Sequence, residues 1–259
     1  MIARVPGARI WYEDMGSGAP LVLLHAGSGN SALWVHQLEA FAAAGYRCIA
    51  YDRRGHGKTE VEPRAEPVAA SQDLNLLLQE LGLDAIHLLG TAAGGIVAFD
   101  FALSHPRRVK RLVVANSIGG VQDESYLALQ RRLRPAPQFD ALPVDLRELG
   151  PTYRASNAFG VERWLELERA SAPRGTAKQP MANRITWAAL EKLAMPVLLL
   201  TGDADLYAPP PVMDLFARRI PKARSLVIER CGHSAYWEQP ELFNRAVLDF
   251  LEASGGAAS

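Results

Sequence analysis

Two residues far apart in the sequence have the types and settings needed for acid–base chemistry. Asp205 follows the apolar run "PVLLLTG", and His233 lies in a glycine-led loop after the run "RSLVIER". A carboxylate that orients an imidazole makes the imidazole an effective general base. Such a base can take a proton from a side-chain nucleophile, from water or from a substrate.

A third stretch, "LLGTAAGGIV" at residues 88–97, has the pattern of a strand that turns sharply into a helix around a reactive side chain. Gly90 and Gly94 flank the turn because Cβ atoms would not fit there, and Gly95 lets the helix approach the strand. The first N–H groups of the helix point at the site, where they stabilise negative charge. The reactive position is occupied by Ala92, whose methyl group cannot attack a carbonyl carbon. Taken alone, the pattern also fits an ordinary helix start packed on a strand.

These residues require a parallel sheet to bring them together, and the apolar runs predict one. Runs rich in valine, isoleucine and leucine recur at residues 20–26, 47–53, 85–90, 111–117, 196–202 and 224–230. Continuous apolar runs indicate strands covered on both faces. The alternating stretch at residues 8–16 predicts an antiparallel edge strand. Helical periodicity between the runs predicts an α/β fold with a doubly wound, mostly parallel sheet.

One region interrupts this alternation. Residues 121–190 contain no strand pattern, and four amphipathic segments predict helices there, at residues 123–133, 142–150, 161–170 and 184–193. An all-helical insertion between two strands is placed to cover the carboxyl ends of the strands, where open α/β sheets bind ligands. We therefore expect a core formed by residues 1–120 and 191–253, a helical cap at residues 121–190 and a disordered tail at residues 254–259.

The composition argues against nucleic acid and membranes as partners. Lys and Arg number 28, as do Asp and Glu, so the formal net charge is zero and offers no attraction to a polyanion. No apolar run approaches the length of a membrane span, and the N-terminal residues lack a signal-peptide core. Cys48 and Cys231 are expected to be buried free thiols of a reducing compartment. We expect a cytoplasmic protein with a small-molecule substrate, and the sequence leaves its oligomeric state open.

The sequence predicts no cofactor and no metal. The histidines do not cluster at metal-ligand spacing. The glycine-rich stretch "HAGSGNS" lacks the G-x-G-x-x-G fingerprint of dinucleotide binding.

Four motifs together resemble the α/β-hydrolase family, in its small capped branch of esterases, lactonases, carbon–carbon bond hydrolases and haloperoxidase-like proteins. The motifs are "LLHAGSGNSALW" (23–34), similar to the oxyanion loop; "YDRRGHGKT" (51–59), similar to the D-x-R-G-x-G-x-S turn; "TGDADLYAP" (201–209), with the acid; and "CGHSAYWEQPELFN" (231–244), with the histidine. The chain order of elbow, acid and histidine is also that of the family. The resemblance implies hydrolysis of a small ester, lactone or carbon–carbon bond.

The resemblance also implies roles for individual residues. Ala92 stands at the nucleophile position, Asp205 matches the acid better than Asp203, and His233 matches the base. The backbone N–H groups of Gly27 and Ala93 would form the oxyanion hole.

Further residues are expected to brace or line the pocket. His25 would brace the oxyanion loop, with Ser28 in the same loop and Thr91 just before the elbow. Arg53 could reach a substrate carboxylate, although pairing with a neighbouring acid is the simpler expectation. Aromatic residues could form an apolar pocket under the cap, although ordinary core packing is the simpler role for each: Trp34, Phe99, Tyr126, Trp164, Trp187 and Tyr236.

The alanine at position 92 leaves three explanations open. In the first, a serine was replaced by alanine to trap a substrate, and the rest of the machinery is intact. In the second, alanine is natural, and the His233–Asp205 pair activates water or removes a substrate proton in a lyase, decarboxylase, isomerase or cofactor-free oxygenation. The departure of Ala26 from the usual glycine favours this second explanation slightly. In the third, the protein binds a ligand without chemistry. No nearby side chain is expected to replace the serine, among Ser28, Ser31, Thr91 and Cys231.

Overall fold

The computed structural model describes residues 1–171 and 179–253 of the chain. The predicted tail at residues 254–259 lies outside the described residues, as does most of the joint that follows the third predicted cap helix.

The described strands form one mixed sheet. In chain order they are β1 (Ile2–Val5), β2 (Ala8–Met15), β3 (Ala19–Leu24), β4 (Tyr46–Tyr51), β5 (Glu60–Val61), β6 (Ile86–Thr91), β7 (Val109–Ala115), β8 (Val197–Gly202) and β9 (Ala223–Ile228). Their spatial order is β1-β2-β4-β3-β6-β7-β8-β9, with β5 beside β2. All neighbours from β4 to β9 are parallel, whereas β2 runs antiparallel to β1, β4 and β5. The predicted α/β fold with a mostly parallel sheet is therefore confirmed. The short strands β1 and β5 were not predicted.

Helices cover both faces of the sheet. They are α1 (Val35–Ala43), α2 (Ala70–Glu80), α3 (Ala93–Ser104), α4 (Glu124–Leu133), α5 (Val144–Glu148), α6 (Pro151–Ser156), α7 (Ala158–Ser171), α8 (Trp187–Leu190), α9 (Pro210–Ala217), α10 (Ala235–Glu238) and α11 (Pro240–Glu252). Successive residues of β3 alternate between two cores. Val22 and Leu24 pack in the core that includes α2, α3 and α9, while Leu21 and Leu23 pack in the core that includes α1 and α11. This two-sided burial explains why the central strands are continuously apolar. The expectation of two covered faces is wrong for residues 224–230, because β9 lies at the edge of the sheet and exposes Leu226 and Val227.

The helices α4 to α8 lie between β7 and β8 in the chain, and we call residues 124–190 the helical insertion. Its described part contains helices and no strand. Two details differ from the sequence prediction. The helix predicted at residues 184–193 is a single turn, α8, and an additional helix, α6, begins at Pro151. Proline is favoured in the first turn of a helix, because its missing N–H would have no partner there.

Asp100 fastens the end of the insertion to the core. The sequence pattern predicts that α3 is buried, and it is, but its buried face includes this carboxylate. Asp100 accepts hydrogen bonds from the Ser71 hydroxyl at 2.5 Å and from the backbone N–H of Ala182 and Asn183 at 3.0 and 2.8 Å. The amide of Asn183 donates to the same carboxylate at 2.8 Å. A buried carboxylate is stable only when it is satisfied in this way.

Candidate active site

The turn between β6 and α3 holds Ala92 in a strained backbone conformation. Ala92 has φ 50° and ψ −116°, a region that side-chain-bearing residues rarely occupy. Its N–H donates to the carbonyl of Ala115 at 3.0 Å, and its carbonyl accepts from the Ser117 hydroxyl at 2.6 Å. These bonds to the end of β7 hold the turn in place. The sharp strand-to-helix turn predicted at this position is therefore present.

The glycines around Ala92 are needed for close backbone contact. A Cβ on Gly90 would clash with the carbonyl of Gly94, and a Cβ on Gly94 would clash with the carbonyl of Leu24 on β3. A Cβ on Gly95 would lie 2.6 Å from the Cβ of Ser117 and 3.0 Å from Val114 on β7. The helix α3 can start this close to the sheet only because these positions lack side chains.

Asp205 lies in the loop after β8 and is almost fully buried. Its Oδ1 accepts the backbone N–H groups of Tyr207 and Ala208 at 2.7 and 2.9 Å. Its Oδ2 accepts from the Thr201 hydroxyl at 3.1 Å and from the Asn116 amide at 3.0 Å. Burial opposes the charged form, but His233 and these donors outweigh it and lower the pKa of Asp205 to about 2.

His233 lies in the loop between β9 and α10, next to Asp205. Its Nδ1 is 2.9 Å from both carboxylate oxygens of Asp205. Because an ionised carboxylate can only accept, Nδ1 carries the proton, and Nε2 is the free nitrogen. Asp203 is turned away and accepts the N–H of Cys231 at 3.0 Å. The preference for Asp205 over Asp203 in the sequence thus agrees with the geometry.

The charges around His233 favour its protonated form. Burial by itself would lower the pKa of the imidazole, but Asp205 and Glu148 raise it, so that its pKa lies above the ordinary 6.5. The Tyr207 ring packs against the imidazole with centroids 4.3 Å apart. The site therefore holds a strong base in a buried and preorganised position.

The loop after β3 lies beside the turn at Ala92. A Cβ added to Gly27 would be 3.5 Å from the Cβ of Ala93, so these two residues are neighbours. The backbone N–H groups of Gly27 and Ala93 have no hydrogen-bond partner within residues 1–171 and 179–253. Two free N–H groups at one end of a pocket, one of them at a helix N-terminus, can stabilise a developing negative charge.

His25 and Asp52 fix the shape of this loop. His25 is fully buried, its Nδ1 lies 2.7 Å from the carbonyl of Ala26, and its Nε2 accepts the N–H of Arg53 at 3.1 Å. Burial, together with Arg53 and His56, lowers the pKa of His25 well below 6.5, so its ring is neutral. Asp52 accepts the N–H groups of Ser31 and Lys58, both at 2.7 Å. The two motifs at residues 23–34 and 51–59 thus form one bonded unit.

The expectation that Arg53 pairs with an acid is wrong. Its Nη2 donates to the carbonyls of His25 and Ala26 at 3.3 and 2.9 Å, and no carboxylate among the described residues forms an ion pair with it. The adjacent Arg54 makes the ion pair instead, with Asp73 at 2.7 Å. Arg53 is also absent from the lining of the pocket at Ala92, and its hydrogen bonds to the loop after β3 agree with a bracing role.

A pocket of about 320 Å³ brings the sequence-predicted residues together. Ala92, Ala93, Gly27, Ser28 and His233 all line it, and the insertion closes it with side chains of α5 and α7. Thr91 is buried behind the turn and does not line the pocket. A cavity of about 580 Å³ lies elsewhere, beside α1 and α7, but neither Ala92 nor His233 lines it.

The aromatic residues suggested for the pocket do not line it. They are buried in the two cores: Trp34, Phe99, Tyr126, Trp164, Trp187 and Tyr236. The aromatic side chain at the pocket is Tyr207. Cys231 is buried, and burial raises the pKa of its thiol, which makes it a poor replacement for a serine.

Several residues of the site were missed by sequence reasoning. Asn116, with φ 50°, donates to Asp205 and to the carbonyl of Gly232 at 3.2 Å. Glu238 accepts the N–H groups of Gly150 and Gly232, both at 2.9 Å, and so joins the insertion to the His233 loop. A polar residue directly after a buried strand was the available signal for Asn116. No comparable signal marks Glu238, which resembles an ordinary helix residue.

The described part of the chain contains no group of three or more His, Cys, Asp or Glu side chains that could hold a metal ion. None of its helices has the length and hydropathy required to cross a bilayer.

Comparison with known proteins shows the family of the chain. The family model described as "alpha/beta hydrolase fold" matches residues 19–240. A 2-hydroxy-6-oxononadienedioate/2-hydroxy-6-oxononatrienedioate hydrolase of Burkholderia vietnamiensis is 33% identical over 270 residues, which cover 94% of this chain and 91% of that protein.

Solved structures agree with the family model. A thermophilic esterase from Thermogutta terrifontis is 27% identical and superimposes with a TM-score of 0.77, covering 97% of each chain. An enol-lactonase from Burkholderia xenovorans has a TM-score of 0.76 over 97% of this chain and 99% of that chain, but at 20% identity the likeness is one of fold alone. The chain belongs to the α/β-hydrolase family.

Proposed function

We propose that the pocket around Ala92 and His233 is the active site of a hydrolase for a small ester, lactone or carbon–carbon bond, with alanine at the nucleophile position. Residues 121–190 form the cap of this enzyme in our proposal. The observation that carries the proposal is the buried His233–Asp205 pair, because His233 lines the same pocket as Ala92. Relatives named as an esterase and a dienedioate hydrolase support the reaction class.

The proposed mechanism assigns a task to each group. With serine at position 92, Oγ would attack the substrate carbonyl while Nε2 of His233 takes its proton. The N–H groups of Gly27 and Ala93 would stabilise the resulting oxyanion, aided by the N-terminal dipole of α3. Asp205 keeps the imidazole in the required tautomer. With Ala92 the covalent route is closed, and only binding and oxyanion stabilisation remain, about 10³–10⁴-fold over water in serine hydrolases.

A substrate that carries a carboxylate is the finer part of the proposal. Arg134 and Arg147 line the pocket, and their Nε atoms are buried without a partner among the described residues. A guanidinium with unused donors suits a carboxylate. The dienedioate in the relative's name points to the same chemistry. Glu148 and Glu168 also line the pocket, so the pocket as a whole is not positively charged, and only the two arginines offer positive charge to a carboxylate.

The test is to install the nucleophile. Ala92→Ser is expected to raise the hydrolysis of p-nitrophenyl acetate at least about 100-fold, because a complete triad adds covalent catalysis to the existing site. Ala92→Gly is the matched control, since it changes the same position without adding a hydroxyl. Ala92→Ser/His233→Ala must lose the gain. If all three variants match the unaltered chain, the proposal fails.

A second function is favoured by the completeness of the acid–base pair. The Asp205–His233 pair is fully formed in a pocket that Ala92 also lines, so it can take a proton from water or from a substrate without a covalent step. Under this function, the chain with Ala92 turns over a substrate with an acidic C–H, and His233→Ala abolishes that turnover. If a ligand binds tightly and His233→Ala changes neither binding nor turnover, the protein is a binding module.

A further inference from the structure

A second carboxylate approaches His233 from the helical insertion. Oε2 of Glu148 lies 4.0 Å from Nε2 of His233. Nδ1, on the other side of the ring, is held by Asp205 at 2.9 Å. The side chains of Glu148 and His233 are only 13% and 6% exposed, and both line the pocket. The imidazole thus lies between two carboxylates, one near each nitrogen.

The position of Glu148 is fixed by the backbone that follows it. Leu149 is 2% exposed and packs in the core that includes α1 and α11. Gly150 packs directly on Gly232, the residue before His233, with no room for a Cβ on either glycine. Glu238 binds the N–H groups of both glycines at 2.9 Å. The contact between the residues that follow α5 and the His233 loop therefore sets the distance between Glu148 and the imidazole.

The charged and titratable groups around the ring belong to several elements. Asp205 and Tyr207 face it from the loop after β8, Glu148 from α5, and the more distant Glu238 from α10. Arg147 lies beside Tyr207, with Nη1 3.4 Å from its hydroxyl. Burial raises the pKa of Glu148, and the imidazole opposes that rise. Because opposite charges attract strongly over 4.0 Å in a site that is largely shielded from water, Glu148 is a major influence on the ring.

We propose that Glu148 is a second acid partner of His233, which stabilises the protonated imidazole from the insertion and makes the cap part of the acid–base chemistry. The catalytic meaning of this role rests on the proposed function. When Nε2 takes a proton, from serine in the Ala92→Ser variant or from water or a substrate in the unaltered chain, Glu148 stabilises the imidazolium that forms. Glu148 makes and breaks no bond itself, so it is a positioning residue. If the cap moved Glu148 away from the imidazole, His233 would become a weaker base.

The direct test needs no turnover. The titration of His233 can be followed by NMR in ¹⁵N-histidine-labelled protein, with the signal assigned from a His233→Gln sample. Glu148→Gln is expected to lower the pKa of His233 by at least about one unit, because an opposite charge within about 4–6 Å raises it by that much or more. Asp145→Asn is the matched control, because Asp145 lies on the same helix but does not line the pocket.

The outcomes separate this proposal from the proposed function. The proposal is supported if Glu148→Gln lowers the pKa of His233 clearly more than Asp145→Asn does, whatever the esterase assay gives. Equal shifts in the two variants overturn it, even if Ala92→Ser is an active esterase. Glu148→Asp retains the charge and is expected to retain part of the raised pKa, which guards against misreading a folding defect. In Ala92→Ser, adding Glu148→Gln is expected to move the acid limb of kcat/KM to lower pH by the shift seen in NMR.

Discussion

Both carboxylate oxygens of Asp205 lie 2.9 Å from Nδ1 of His233, and this buried contact leaves Nε2 as the only ring nitrogen free for chemistry. Asp205→Asn keeps the size of the side chain but removes its charge and allows the wrong tautomer. In the Ala92→Ser background we expect kcat to fall by roughly 10³–10⁴-fold, with little change in KM. Steady-state kinetics on p-nitrophenyl acetate measures this. A fall below tenfold would show that Asp205 does not orient the base.

The same pair predicts the pH dependence of Ala92→Ser. The neutral imidazole is the base, and its pKa is raised above 6.5 by Asp205 and Glu148 against the effect of burial. Activity should therefore increase as pH rises through a value above 6.5, and Asp205, with a pKa of about 2, should stay ionised throughout. A pH–rate profile of kcat/KM between pH 5 and 9 checks this. An acid limb centred well below 6.5 would contradict the electrostatics of the site.

The free energy of unfolding should depend on pH through His233 and Asp205, whose pKa values are shifted in opposite directions. The raised pKa of His233 adds stability that is complete below 6.5, the ordinary value, and is lost as pH rises through the folded-state value. The lowered pKa of Asp205 adds stability above 3.8, which is lost as pH falls towards 2. The stabilising effect of the pair is thus largest between these limits. Urea unfolding should show that His233→Gln lowers the free energy of unfolding more at pH 5.5 than at pH 9. A loss independent of pH would argue against the linkage.

Backbone strain at Ala92 makes a separate prediction. Glycine adopts a positive φ without the Cβ penalty, so Ala92→Gly should raise the free energy of unfolding by about 1 kcal/mol. Ala98→Gly, inside the buried part of α3, should lower it by about 1 kcal/mol or more, because glycine disfavours the helix interior. Urea unfolding of the two variants gives the comparison. Destabilisation by both would mean that the turn at residue 92 is not strained.

Asp100 should be essential for holding the insertion on the core. Asp100→Ala leaves the N–H groups of Ala182 and Asn183 without their acceptor, and we expect a loss of about 3 kcal/mol in the free energy of unfolding. Ser71→Ala removes only one donor to the same carboxylate and should cost about 1 kcal/mol. If the two variants lose equal free energy of unfolding, the hydrogen bonds from residues 182–183 add little to stability.

Much of this fold follows from local patterns in the sequence. The strands that precede Ala92 and Asp205, β6 and β8, are fully buried apolar runs of the length that a buried parallel strand needs, and the glycines at 90, 94 and 95 occupy positions where a Cβ would clash. Such features depend on near neighbours in the chain and on burial, so they can be read without coordinates.

The contacts made by the insertion could not be read in this way. Glu148 sits at the end of a short helix, and its approach to His233 depends on how Gly150 meets Gly232 across the fold. Arg53 was expected to pair with an acid, whereas its neighbour Arg54 does so, because adjacent residues after a strand point in different directions. The direction of a side chain in a loop is a tertiary property, and hydrophobic periodicity does not report it.

The most direct measurement of the central claim is covalent labelling of the installed nucleophile. Diethyl p-nitrophenyl phosphate reacts when serine Oγ attacks phosphorus, p-nitrophenolate leaves and the serine proton passes to the imidazole. We predict that Ala92→Ser takes up a diethylphosphoryl group on Ser at position 92, as read by peptide mass spectrometry, and that the unaltered chain and Ala92→Ser/His233→Ala do not. Equal labelling with and without His233, or no labelling of the folded Ala92→Ser protein, would contradict the placement of the base opposite residue 92.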